Sequence, residues 1–241
     1  MPKAPQPKTQ ALQFFESHFK QKKSKEASAL IKKLKSDSPG RNPRKSAELY
    51  GQMARFERNL HNPLILEHQL SQILSLAKFQ PSDNVVSIGS GVGATETFIA
   101  KNTLHNGKMT CVDFAHGMNE EANKIKTKEK VTNMPIITAS GTNLPLRPGT
   151  QDFVLVIQSN MPNTKVWSKV LGEARRVLKP TPRARLIFTI LPKQKNAPQE
   201  ISRVYADLQK HGFKVETLLH YLNINEYYGA IIVAKPLTIF G

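Results

Sequence analysis

Residues Asn84 through Glu96 read NVVSIGSGVGATE, a short apolar stretch that runs into three glycines and then into a helix-forming segment. Val85, Val86 and Ile88 favour an extended, buried strand. Gly89 and Gly91 permit a tight turn and leave bare backbone on which a ligand can lie. Ala94 to Lys101 is predicted to be a helix, whose first N–H groups and dipole would face an anionic group. Together they have the form of a nucleotide-type cofactor site at the tip of a first strand.

Three readings of these glycines compete. Gly89, Gly91 and Ala94 satisfy the dinucleotide fingerprint G-x-G-x-x-G/A. Gly89, Gly91 and Gly93 satisfy the G-x-G-x-G of methyltransferases that use S-adenosylmethionine. The third reading is a tight strand-to-helix turn that holds no ligand. Both cofactor readings want an acidic residue at the end of the second strand for the ribose hydroxyls. Lys108-Met109-Thr110-Cys111-Val112-Asp113 supplies Asp113, at the spacing of about 20 residues expected for that role.

Further landmarks separate the cofactors. Asn143-Leu144-Pro145-Leu146, followed by Asp152-Phe153-Val154-Leu155-Val156, resembles the N-L-P-F…F-D-x-V segment of class I S-adenosylmethionine-dependent methyltransferases. Glu173-Ala174-Arg175-Arg176-Val177-Leu178-Lys179-Pro180 resembles the E-x-x-R-V-L-K-P-G-G helix end of that family, in particular its ubiquinone and menaquinone biosynthesis branch. His211-Gly212-Phe213-Lys214-Val215 and Ala230 to Lys235 resemble its final helix-to-strand pair. The resemblance spans residues 62 to 236. It implies a doubly wound, mostly parallel seven-stranded Rossmann-like α/β sheet with an antiparallel last strand, preceded by a helical N-terminal extension. It also implies S-adenosylmethionine as cofactor, with Gly89, Ser90, Gly91, Gly93, Asp113, Phe114, Ser140, Gly141, Thr142 and Gln158 around it.

The chain departs from the family pattern at the cofactor. The family's acidic residue two before the first glycine, which helps bind the methionine ammonium, is Ser87 here. Its aspartate near the adenine is Ser140, and the Gly-Gly after Lys-Pro is Thr181-Pro182. A serine offers a hydrogen bond but not the charge-assisted bond of a carboxylate.

Composition bounds the rest. The 241 residues fit one α/β domain plus an extension, which places residues 1–60 in a basic helical, partly disordered extension and 61–241 in the methyltransferase-like domain. No apolar run approaches the length of about 18 residues needed to cross a bilayer. No stretch has the layout of a secretory signal. These point to an intracellular, cytoplasmic protein, with an organellar matrix also compatible. The single cysteine, Cys111, excludes an intrachain disulfide framework and a multi-cysteine metal site. Within the second strand it reads as a small buried apolar residue.

Charge is the second signal. Lys and Arg number 35 against 18 Asp and Glu, a net of +17. Met1 to Arg58 holds 14 basic and 5 acidic residues, so this segment carries about half of the excess. Such density attracts phosphate backbones without base specificity. It is equally the composition of a solvated helical face. RNA or a ribonucleoprotein is the expected partner.

The elements that must position these residues follow from pattern. Met1 to Lys8, with three prolines, reads as disordered. Helical spacing runs from Thr9 to about Lys35, from Ser46 to Leu60 and from Leu64 to Phe79. Further strands are expected at Pro135–Thr138, Phe153–Gln158, Arg185–Ile190, Lys214–Leu219 and Ala230–Lys235. Ligands bind such sheets outside the strands' carboxyl ends. This gathers Gly89–Gly93, Asp113-Phe114, Ser140–Thr142 and Gln158–Asn160 around one crevice.

The loop Gln158-Ser159-Asn160-Met161-Pro162-Asn163 lacks the [D/N/S]-P-P-[Y/F/W] of enzymes acting on exocyclic base amines, and no Pro-Cys pair is present. His116 reads as a surface residue, and Trp167 and Tyr227-Tyr228 as packing groups that can also stack on a base. No catalytic residue is assigned, and no metal is expected. Two classes stay open: a methyltransferase acting on RNA, an RNA-associated protein or a small molecule, and a non-catalytic methyltransferase-like module that binds RNA or a ribonucleoprotein.

Overall fold

Strands β1 (Asn84–Ile88), β2 (Lys108–Asp113), β3 (Ile136–Thr138), β4 (Phe153–Val156), β5 (Arg185–Ile190), β6 (Phe213–Ile224) and β7 (Tyr227–Pro236) form one sheet in the order β3-β2-β1-β4-β5-β7-β6. This is a computed structural model, and it describes residues 9–19, 25–36, 43–60, 63–157, 166–190, 196–224 and 227–237. The first five strands pair in parallel. β7 runs antiparallel to both of its neighbours, so it alone opposes the rest. The expected doubly wound sheet with one reversed strand is present.

The inner strands are apolar on both faces because helices cover both. Alternation sorts Val85, Met109, Cys111, Phe153 and Leu155 to one core and Val86, Ile88, Val112, Val154 and Val156 to the other. The first core is closed by residues from α1 (Gln10–His18), α3 (Pro43–Leu60), α4 (Pro63–Ala77), α5 (Ala94–Asn102) and α6 (His116–Lys128). The second is closed by α7 (Trp167–Val177) and α8 (Ala197–Lys210).

The N-terminal helices share the core of the sheet. Thr9 caps α1 by accepting from the Leu12 N–H at 3.1 Å, and its hydroxyl donates to Glu67 of α4 at 3.0 Å. Phe15 is fully buried, and Phe14 meets Phe98 of α5 edge-on at 5.4 Å. Leu49 and Met53 of α3 join the same core. α3 touches α6 at two glycines: a Cβ on Gly117 would sit 2.7 Å from the Gly51 carbonyl oxygen. Glycine is required at 117 by that close approach.

Several boundaries differ from the sequence reading, most by one to three residues. The helix expected over Thr9–Lys35 is two, α1 and α2 (Lys25–Ser36), because Phe19 leaves α1 in extended conformation. β4 ends at Val156. β6 and β7 extend beyond the core as a long hairpin, with register shifts between Val215 and Thr217 and between His220 and Leu222. Bulges of this kind let a hairpin twist away from the sheet. The disorder expected over Met1–Lys8 and the break at Pro39-Gly40 fall outside the described residues.

Candidate functional site

The carboxyl ends of β1 and β2 meet at the glycine turn. Gly89, Gly91 and Gly93 all have positive φ, from 55° to 71°, where side chains are strained. The Gly89 N–H donates to the Val112 carbonyl at 2.7 Å, carrying the turn across the top of β2. The Gly93 N–H donates to the Ser90 carbonyl at 2.9 Å, which tightens the loop into the start of α5. α5 has no side-chain cap, so its first N–H groups depend on other partners.

Asp113 clasps this turn from β2. Its Oδ2 accepts from the Gly91 N–H at 3.0 Å and its Oδ1 from the Ala115 N–H at 2.9 Å. Asn119 of α6 donates to the Asp113 carbonyl and to the Thr138 hydroxyl, tying the ends of β2 and β3.

A cavity of about 120 Å³ opens on the turn, lined by Gly89 through Glu96 together with Phe19, Leu66 and Ile157. A Cβ on Gly91 would meet nothing within 4 Å, so the backbone there faces open space. Ser90 Oγ is buried beside the Cys111 thiol. Glu96, in the first turn of α5, is 4% exposed and accepts from the Ser87 hydroxyl at 2.7 Å. Burial, reinforced by the Asp113 charge, pushes its carboxyl up to about 7, against the lowering effect of the Ser87 hydrogen bond. Burial likewise pushes the Cys111 thiol well above its ordinary range, as befits a buried packing cysteine.

Of the residues expected at the cofactor, Gly89, Ser90, Gly91 and Gly93 line the cavity, and Asp113 holds its loop. Phe114 stands beside Asp113, 39% exposed and edge-on to Tyr50 of α3 at 5.6 Å. Ser140 and Thr142 bond to each other at 2.8 Å in the exposed turn with Gly141 after β3, and none of the three lines the cavity. Gln158 lies outside the described residues, as does the rest of the loop through Asn163. His116 projects from the start of α6 toward Glu120 at 3.6 Å and is largely exposed. Trp167 packs against Phe188 at 5.1 Å. The side chains of Tyr227 and Tyr228 are outside the described residues.

Sequence reasoning gave Glu96 no role. The available signal was a carboxylate three residues past the last glycine, in a helix whose other residues as far as Ala100 are small, apolar or threonine. The two later landmarks prove to be one structural clamp. Glu173 accepts from the Leu144 N–H at 2.6 Å, and Arg176 donates to the Leu144 and Leu146 carbonyls at 3.0 and 2.7 Å. Arg176 also pairs with Glu173 at 2.7 Å, which lowers the Glu173 carboxyl below its usual range.

The sheet order and the glycine turn define a class I methyltransferase fold. A methyltransferase-domain family model matches residues 85–181. Over those residues the chain matches this methyltransferase-domain family, and S-adenosylmethionine is the cofactor that the match supports. Similar solved structures include an S-adenosylmethionine-dependent methyltransferase from Aquifex aeolicus (18% identity, 88% of this chain and 98% of that chain, TM-score 0.58). A geranyl diphosphate methyltransferase in complex with GPP and sinefungin is similar over 69% of this chain and 77% of that one (14% identity, TM-score 0.57). The [4+2]-cyclase SpnF is also similar, at 13% identity over 71% of this chain and 81% of that one, with TM-score 0.62. None of the curated proteins matches the chain in sequence. The cyclase among these neighbours means that the fold alone does not name the reaction.

The residues present fit the superfamily's cofactor. Its amino-acid end is a zwitterion, and the cavity pairs an uncapped helix start, suited to a carboxylate, with a buried carboxyl, suited to an ammonium. The buried Ser90 hydroxyl, beside the Cys111 thiol, adds a polar group to the same wall.

Proposed function

We propose that the protein is an S-adenosylmethionine-dependent methyltransferase whose acceptor is RNA or an RNA-associated protein. The observation that carries the enzyme reading is the cavity on the glycine turn, where open Gly91 backbone, the start of α5 and Glu96 converge. The bound cofactor would supply an electrophilic methyl group on a sulfonium. The glycine turn would hold the amino-acid end, and Asp113, at the end of β2, the ribose. Phe19, Leu66 and Ile157 supply the apolar side chains that line the cavity opposite the turn's polar backbone. Displacement at a sulfonium gains most of its catalysis from alignment, so a fixed cofactor and a docked acceptor suffice without an assigned base.

The acceptor reading rests on charge and placement. α3, with four basic and two acidic residues, lies against α6, and its Tyr50 reaches Phe114 beside Asp113, which supports an anionic acceptor approaching from this side. Lys32 of α2 and Arg44 of α3 are exposed. A second reading, a small apolar acceptor, is favoured only by the Phe19, Leu66 and Ile157 side chains in the lining.

Titration calorimetry with S-adenosylmethionine, S-adenosylhomocysteine and NADH tests the cofactor. Binding of the first two is expected, and no heat from either at millimolar concentration refutes the enzyme and leaves a non-catalytic module. Transfer of labelled methyl to RNA, rather than to small molecules, tests the acceptor. Deleting the basic N-terminus is not a clean probe, because α1 contributes Phe15 to the core and Phe19 to the cavity. Replacing Lys25, Lys32 and Arg44 by glutamine spares both. It should lower RNA affinity and reduce the slope of log affinity against log salt by up to about three.

A further inference from the structure

We propose that Glu96 is the carboxylate that binds the ammonium of the cofactor's amino-acid end, taking over from α5 the place that Ser87 leaves without charge on β1. This deepens the methyltransferase reading and rests on it. Ser87 occupies the strand position at which the superfamily pattern calls for an acid, and its hydroxyl donates to Glu96 Oε1 at 2.7 Å. The two side chains thus share one spot, reached from two elements. Glu96 lines the cavity together with every residue of the glycine turn.

A purely structural role for Glu96 accounts poorly for its surroundings. The carboxyl is 4% exposed, and among the described residues no ion pair engages it. Asp113, the nearest charged group acting on it, is of like sign, and Cys111 beneath it is a neutral thiol. A buried carboxylate without a cation is costly, and a sequence keeps one where a ligand supplies the charge. Its bond to its own backbone N–H in the first turn of α5 does not supply a positive charge. A cationic amino group entering beside the glycines would give this carboxylate its counter-charge, with the ligand's own carboxylate toward the start of α5.

The test compares two ligands that differ only in the amino-acid end. S-adenosylhomocysteine carries the ammonium, and 5′-methylthioadenosine is the same nucleoside thioether without it. By calorimetry, Glu96→Gln, which keeps the side-chain volume and an acceptor for Ser87, should weaken S-adenosylhomocysteine about 10- to 100-fold and leave 5′-methylthioadenosine unchanged. Moving the acid back to the strand, as Ser87→Asp with Glu96→Ala, should restore S-adenosylhomocysteine affinity to within a few-fold of the unmodified protein. Equal S-adenosylhomocysteine affinity in Glu96→Gln, or an equal loss for both ligands, overturns the assignment while the cofactor reading stands. Failure of the unmodified protein to bind either ligand overturns both.

Discussion

Replacing Asp113 by alanine is expected to damage the ligand-free protein as well as the cofactor site. The carboxylate accepts two backbone N–H groups, from Gly91 at 3.0 Å and from Ala115 at 2.9 Å. Hydrogen bonds to a charged partner contribute about 1.5–3 kcal/mol each, which would give an upper bound of about 3–6 kcal/mol. Gly91 is only half-buried, so water replaces part of its bond, whereas Ala115 is fully buried and its N–H would be left unpaired. A loss of about 2–4 kcal/mol in unfolding free energy follows. Asp113→Asn should lose nearly as much, because its amide keeps one acceptor but turns a donor toward the other N–H. Urea denaturation of the ligand-free variants, followed by circular dichroism, measures this directly. If Asp113→Ala unfolds within about 0.5 kcal/mol of the unmodified protein while S-adenosylhomocysteine affinity falls, the clasp is energetically idle and Asp113 acts on the ligand alone.

Three further outcomes follow from named contacts. Arg176→Ala strips a partner from the Leu144 and Leu146 carbonyls and from Glu173, and should cost about 1–3 kcal/mol by the same denaturation assay. The depressed Glu173 carboxyl contributes stability above its ordinary value of 4.5 that is lost as pH falls toward its lower folded value, and Arg176→Ala should shrink this acid-side loss. Gly117→Ala drives a methyl into the Gly51 backbone and should lower stability by about 1–3 kcal/mol through separation of α3 from α6; an unchanged melting temperature would show that the helices slide freely. Glu96 has the opposite pH sign: its carboxyl, raised from 4.5 to about 7, costs nothing when neutral, and ionising it in the ligand-free protein costs about 3 kcal/mol as pH climbs between those values. Glu96→Gln should lack this decline, which a stability profile from pH 4 to 8 would show, and parallel profiles for the two proteins would refute the burial penalty.

The sheet and the turn at its tip are legible in short stretches of the chain. Runs such as Val85–Ile88 and Phe153–Val156 are apolar on both faces, which only a strand covered on both sides can satisfy, and three glycines between strand and helix permit the positive φ that the turn adopts. Local chemistry was sufficient there because the signal lies within a few adjacent residues. Tertiary structure decided what no window of sequence contains. Glu96 and Ser87 are nine residues apart on different elements, and only the fold of the turn brings them to 2.7 Å. Asp113, anticipated as a ribose ligand, turns out also to hold the Gly91 backbone, a contact across 22 residues. The basic N-terminal segment read as an appendage because its charges dominate its composition, yet Phe15, Leu49 and Met53, spaced along helices that look amphipathic in isolation, find their partner surface only when α5 and α6 are assembled on the sheet. An apolar stripe announces that a helix will pack; where it packs is fixed by which complementary surface the rest of the chain has already built.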